Sequence, residues 1–266
     1  MKALINGITM GFDDMGSGPA VCLIHGFPLD RRMWWPQVQA LVSAGYRVIT
    51  PDLRGFGDSD APEGPYTMEL FADDLVALLE SLGVERSVVG GMSMGGYVLF
   101  NMLERYPEHI AAACFIVTRS GADDEAGKEK RSAMARDLLK LGPGVAAEIF
   151  GKILFAAETA NIRPELLAEV HGWMMEKDPL GLAGGLLAMR ERKDCTPLLS
   201  GFRLPSLVIG AGHDQAIPLD NAVTLAGGLP RHKLCVIPGA GHLANLEQPK
   251  AFNECLIDFL HTLSIN

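Results

Sequence analysis

Apolar residues are arranged along the chain in two alternating patterns. Short, nearly unbroken apolar runs read as strands buried on both faces: AVCLIH (20–25), YRVITPD (46–52), RSVVGGMS (86–93), IAAACFIVT (110–118), PSLVIGAGHD (205–214) and HKLCVIPG (232–239). Between them lie stretches whose apolar residues recur three or four apart, which predicts helices. Segment 67–83 aligns Leu70, Leu75, Leu78, Leu79 and Leu82, with Thr67 as N-cap and Gly83 at its end. MGGYVLFNMLERYP (94–107) reads as a helix stopped by Pro107, DNAVTLAGGLP (220–230) as another, and 248–263 as the last, with Phe252, Leu256 and Phe259 on its apolar face. At the N-terminus ALIN and ITMGFDD flank Asn6-Gly7, a strong hairpin signal. Strands alternating with helices predict an α/β fold, a mostly parallel central sheet flanked by helices.

From residue 119 the strand signals stop. SAMARDLLKLG (132–142) has Met134, Leu138 and Leu141 at helical spacing, and VAAEIFGKILF (145–155) repeats this with Val145, Ile149 and Ile153. Segments 163–178 and 178–192 each carry a proline near the first helical position. The alternation resumes near residue 204. The expected organisation is a core formed by 1–118 and 204–266, with 119–203 as an inserted helical cap.

Composition narrows the class further. With 48% hydrophobic and 21% charged residues, the chain can fill a core without metal or disulfide staples. A net charge of −9 disfavours nucleic acid and anionic membrane as partners, and the densest basic run, GKEKR (127–131), is flanked by acids. Cys22, Cys114, Cys195, Cys235 and Cys255 are scattered, odd in number and free of any Cys-x-x-Cys. They read as free thiols in a reducing compartment, not as a disulfide framework or zinc site. The first residues lack a signal-peptide apolar run, and no stretch approaches the roughly 20 apolar residues that span a bilayer. The expectation is a cytoplasmic protein.

In open parallel sheets, ligands bind beyond the carboxyl ends of the strands. Four polar positions lie there: His25-Gly26, Ser93, Asp214 and His242. Ser93 lies in Gly91-Met92-Ser93-Met94-Gly95 between a strand and a helix, the setting of a nucleophile elbow. The pentapeptide alone also fits a phosphate-binding glycine turn. A serine hydroxyl needs a base, and His242, in a GAGH turn after the last strand, is the best placed. His109 and His232 fall at the opposite end of the sheet, His171 in the insertion and His261 in the last helix. The base needs a carboxylate to fix its tautomer, and Asp214 follows the neighbouring strand. After IAAACFIVT the chain offers Arg119 and Ser120 and no carboxylate before Asp123.

LIHGFPLDRRMW, VITPDLRGFGDSD, GMSMGGYV, LVIGAGHDQAIP and IPGAGHLANLEQP, in this order, resemble the α/β-hydrolase superfamily, as does the order Ser93, Asp214, His242. Residues 178–218 are similar to the corresponding part of 3-oxoadipate enol-lactonases. The resemblance implies an α/β-hydrolase fold and a Ser-His-Asp triad, with the backbone amides of Phe27 and Met94 as oxyanion hole. It implies structural roles for Asp52, Arg54 and Gly55. His25 would shape the oxyanion loop without acting as a base, and with Trp34, Trp35 and Trp173 it is a candidate for the pocket wall. Haloalkane dehalogenases and epoxide hydrolases carry aspartate at the elbow, so the serine argues against both. An enol-lactone bearing a carboxylate would want a basic cap residue: Arg136, Arg163, Arg190 or Arg192.

The expected reaction is hydrolysis of a small carboxylic ester or lactone through an acyl-enzyme, with no metal and no cofactor. The same triad would also serve C–C bond hydrolysis, cofactor-free perhydrolysis or a slow-turnover ligand sensor, and the sequence leaves these open.

Overall fold

The N-terminal hairpin forms where Asn6-Gly7 predicts it. In the computed structural model, which describes residues 1–264, β1 (Lys2–Ile5) pairs antiparallel with β2 (Ile8–Met15). Asn6 and Gly7 carry φ of 46° and 79°, the left-handed pair that a tight hairpin turn requires. The chain continues through β3 (Ala20–Ile24), α1 (Trp35–Ser43), β4 (Arg47–Pro51), α2 (Met68–Ser81), β5 (Ser87–Met92), α3 (Met94–Arg105) and β6 (Ile110–Ile116). After an interval of helices come β7 (Ser206–Ala211), α9 (Asp220–Gly228), β8 (His232–Ile237), α10 (Ala244–Glu247) and α11 (Pro249–Leu260). Residues 265 and 266, the end of the expected second core segment, lie outside the described residues.

The strands form one eight-stranded sheet in the order β1-β2-β4-β3-β5-β6-β7-β8. The β1–β2 and β2–β4 pairings are antiparallel and the rest parallel. The unbroken apolar runs have a direct cause: Val21, Cys22, Leu23 and Ile24 of β3 are all fully buried, alternately under two separate cores. One core carries Cys22, Ile24 and Val89 beneath α2 and α3, and the other carries Val21, Leu23 and Val88 beneath α1 and α11. β8 differs. It is the sheet edge, and its Leu234 and Val236 are exposed although the sequence reads as a buried strand.

Five helices fill the interval between β6 and β7: α4 (Glu125–Leu141), α5 (Gly144–Phe150), α6 (Ala157–Ile162), α7 (Pro164–Met175) and α8 (Pro179–Glu191). The helix expected over 145–155 stops at Phe150, where Gly151 begins a turn. α1 escaped the sequence pattern because its buried face is short, holding Val38 and Leu41 beside the polar Gln37. The helices of the interval are tied to the body. Gly181 of α8 lies against the Gly55 backbone so closely that a Cβ there would strike the Gly55 carbonyl. Lys177, between α7 and α8, forms a buried ion pair with Asp30. Asp52 and Arg54 brace the loop after β4 through Arg31 and through Asp74, the latter at 2.9 Å.

Cys22, Cys114 and Cys195 are buried free thiols, as expected, and burial pushes the Cys22 thiol up to about 12. Cys235 and Cys255 are not free: they form a disulfide, with Cα atoms 6.7 Å apart. Their pairing follows from the packing of α11 on β8, which a separation of 20 residues does not reveal. Among the described residues no helix is long and apolar enough to cross a membrane.

Candidate active site

β5 ends at Met92 and α3 begins at Met94, so the chain turns on Ser93 alone. Ser93 adopts φ 52° and ψ −111°, a region costly for a residue with a Cβ. The surroundings hold it there: its amide donates to the Ile116 carbonyl at 2.9 Å, and its carbonyl accepts from Thr118 Oγ1 at 2.8 Å and the Gly96 amide at 3.0 Å. The flanking glycines are dictated by close approach. A Cβ on Gly91 would collide with the Gly95 carbonyl, and one on Gly95 would lie 2.5 Å from the Ile24 carbonyl. The start of α3 points its unpaired amides and positive dipole end at the same place.

His242 follows β8 and is 2% exposed. Its Nδ1 lies 2.7 Å from Asp214 Oδ2, while Asp214 Oδ1 accepts from the Ala216 and Ile217 amides at 2.8 and 2.9 Å. A carboxylate only accepts, so Nδ1 carries the proton and Nε2 presents a lone pair. The turn is set by the His213 amide donating to the Ala240 carbonyl at 2.8 Å. Ser93 and His242 line one cavity of about 170 Å³, together with Phe27, Tyr97, Phe150 and Met189.

The Gly26 backbone lies against Ser93, since a Cβ on Gly26 would be 3.4 Å from the Ser93 Cβ. Among the described residues, neither the Phe27 nor the Met94 amide donates to a protein acceptor. His25 braces this loop. Its Nδ1 is 3.1 Å from the Gly26 carbonyl and its Nε2 accepts from the Leu53 amide at 3.0 Å. Burial lowers its pKa to about 4, which keeps the ring neutral.

The four expected pocket residues are elsewhere. His25 and Trp34 are fully buried, Trp34 packing on Phe252 in the core. Trp173 and Trp35 line a different cleft of about 420 Å³, where the Arg32 guanidinium sits 5.5 Å from the Trp173 ring centroid. The 3-10 turn Arg31–Trp34 before α1 points Trp34 into the core, and α7 and α1 line a cleft apart from the Ser93 cavity. Nor do Arg136, Arg163, Arg190 or Arg192 line that cavity; Arg119 and Arg131 do. Among the described residues Asp123 alone pairs with Arg119, Arg131 and Arg192, and the last bonds it at 2.8 and 3.1 Å. Burial alone would raise the Asp123 pKa, but the guanidiniums hold it well below the carboxylate range. In this cluster three cations against one anion leave two positive charges in excess, and among the described residues Arg119 Nε is buried without a protein partner. Arg119 follows β6 at the carboxyl edge of the sheet, so its position in the sequence is the signal that places it at the cavity.

Residues 19–249 match the α/β-hydrolase fold family. The chain belongs to this family. It is similar over 98% of its length to an esterase from Thermogutta terrifontis solved with malate bound, at 37% identity, a TM-score of 0.95 and 98% coverage of that chain. An enol-lactonase from Burkholderia xenovorans LB400 matches 98% of this chain and 100% of its own at 28% identity and a TM-score of 0.91. Bifunctional epoxide hydrolase 2 of Mus musculus is 27% identical over 299 residues, covering 96% of this chain and 54% of that longer protein. This α/β-hydrolase is an enzyme, and its solved neighbours include an esterase and an enol-lactonase.

Proposed function

We propose that this α/β-hydrolase cleaves a small carboxylic ester or lactone through an acyl-enzyme on Ser93. The observation that carries the reading is the shared cavity: a strained serine on a strand-to-helix turn and a histidine whose far nitrogen is bonded to a buried carboxylate. His242 Nε2 takes the hydroxyl proton as Ser93 Oγ attacks the carbonyl, and the oxyanion is met by the Phe27 and Met94 amides. The protonated His242 then gives its proton to the leaving alkoxide. Water, deprotonated by the same nitrogen, cleaves the acyl-enzyme and releases the acid. A serine at this position cannot supply the carboxylate that opens an epoxide, so the likeness to epoxide hydrolase 2 does not extend to that chemistry in this reading. Segment 119–203 serves as the cap, contributing Arg131, Phe150 and Met189 to the cavity wall.

The cavity also favours a substrate with an anionic group. The excess charge of Arg119 and Arg131 beside Ser93 supports this, as does the malate, a dicarboxylate, bound by the Thermogutta terrifontis esterase. Steady-state kinetics on monomethyl succinate and dimethyl succinate test both parts. Ser93→Ala should lower kcat by about 10⁶-fold on every ester if the triad acts as a unit. The wild type should prefer the monoanion, and Arg119→Gln should lower that preference about 10- to 100-fold, the worth of a charged hydrogen bond. Turnover by Ser93→Ala equal to wild type would sink the hydrolase reading. An unchanged preference in Arg119→Gln would remove only the anionic substrate.

A further inference from the structure

We infer that Glu247 is a positioning residue for His242, one that makes the placement of the base depend on the cap segment 154–163. The inference rests on the reading of His242 as base and concerns a carboxylate that the proposed reaction does not use.

Glu247 ends the short helix α10 and is 4% exposed. Both of its oxygens are engaged by donors from opposite sides. Oε1 accepts from the amide of Gly241, the residue before His242, at 2.9 Å. Oε2 accepts from the cap, from the Ala156 amide at 2.9 Å and from Thr159 Oγ1 at 2.6 Å. One carboxylate thus spans the base loop and the cap, and among the described residues no cation pairs with it. The residue after His242 is tied to the same segment, since the Leu243 amide donates to the Leu154 carbonyl at 3.0 Å. Arg163 closes the clasp by donating to the Leu246 carbonyl at 2.8 Å. Contact is tight enough to require glycine at 241, where a Cβ would strike the Ala156 amide nitrogen.

The His242 side chain is held through Asp214, which fixes one ring nitrogen. The direction of the other nitrogen depends on the backbone of residues 241–243, and that backbone is held by Glu247 and the cap. Burial pushes the Glu247 pKa up, and its three donors oppose this. A glutamine cannot replace it: an amide offers one acceptor oxygen and one NH₂, so the NH₂ must face the Gly241 or the Ala156 N–H. One buried donor is then left unpaired, and the loop shifts to relieve it. A displacement of about 1 Å at a base costs on the order of 10²-fold in rate.

Glu247→Gln tests this in the full-length protein by three measurements. The first is kcat and KM on a small ester, the second the rate at which a neutral p-nitrophenyl phosphonate labels Ser93. The third is the downfield proton resonance of the His242 Nδ1–H bonded to Asp214. Expected are a kcat lower by about 10²-fold with little change in KM, slower labelling, and a shifted or exchange-broadened resonance. Lower thermal stability with kcat and resonance as in wild type would assign Glu247 a purely structural role and overturn the inference. Should Glu247→Gln fail to fold, Thr159→Val removes one donor and leaves the carboxylate. A several-fold loss of kcat and a moved resonance are expected there too, and an unmoved resonance overturns the inference. The reading of function fails separately: a wild type without turnover or Ser93 labelling refutes the hydrolase, while the resonance still reports whether Glu247 sets the His242 geometry.

Discussion

His25 is a histidine whose charge state is settled by burial. The Leu53 amide points at Nε2 and the Gly26 carbonyl faces Nδ1, so the neutral ring satisfies both neighbours and a second proton would oppose the Leu53 N–H. Asp30 draws its pKa up and Lys177 and Arg31 push it down, but desolvation dominates and brings it to about 4. An unfolded histidine titrates near 6.5. The unfolded chain therefore binds the extra proton first, and stability is lost as pH falls from about 6.5 through about 4. The loss totals on the order of 3 kcal/mol. His25→Gln removes the titration while offering an amide to the same neighbours. Urea midpoints at about pH 7 and about pH 4.5 should fall further for wild type than for His25→Gln; equal falls would show that His25 is not held neutral. The sequence marks His25 as a loop residue and not a base, but it also proposes His25 for a pocket wall. Burial behind the loop, which decides the matter, is not written in a His-Gly dipeptide.

Elements differ in how far the sequence reveals them. β3, β5, β6 and β7 are legible because both faces of each strand are buried, so their apolar runs are unbroken. Their carboxyl ends are then legible too, which places Ser93 after β5 and Asp214 after β7; the loop bearing His242 follows β8, an edge strand legible by its apolar run although Leu234 and Val236 are exposed. The insertion is legible as helix but not as a surface. Nothing in the spacing of α4 or α7 tells that Arg131 faces the Ser93 cavity while Trp173 faces α1, because that depends on how whole helices dock. α2 is the helix whose ends were clearest. Thr67 Oγ1 accepts from the Leu70 amide at 3.0 Å, satisfying one of the free amides of the first turn. Thr67→Ala should cost about 1 kcal/mol, and Thr67→Ser should recover most of it. Thermal melts check this, with an expected drop of about 2–4 °C for the alanine. Equal melting temperatures for all three proteins would mean that the tertiary packing of α2 makes the cap redundant.

At the scale of the molecule, the question is what keeps the insertion on the body. Two buried carboxylates hold it at separate points: Glu247 clasps segment 154–163, and Asp30 takes Lys177 between α7 and α8. Asp30 and Lys177 are each 2% exposed in their side chains, and Asp30 lies three residues after Phe27. Burial alone would raise the Asp30 pKa, but Arg32 and Lys177 overcome it and hold the carboxyl well below the usual range. The stability from this pair is therefore present above the unfolded carboxylate pKa of about 3.9 and is lost only as pH falls below it. Removing one partner strands the other charge. Arg32 still bonds Asp30 at 2.8 Å, so Lys177→Met should fall at the lower end of the range for a broken buried pair, about 3 kcal/mol. The loss should be the same at about pH 5 and about pH 7, where Asp30 stays ionised, and the same in low and high salt because water does not reach the pair. Lys250 gives the contrast: it is 91% exposed and 3.9 Å from Glu254, so Lys250→Met should change stability by about 0.5 kcal/mol or less. Urea unfolding of the two variants separates the cases. Lys177→Met should also lower kcat, because Asp30 anchors the chain that carries the Phe27 amide, whereas Lys250→Met should not. A Lys177→Met protein as stable as Lys250→Met would show that this ion pair does not hold the insertion, leaving the Glu247 clasp and the Gly181–Gly55 contact to do so.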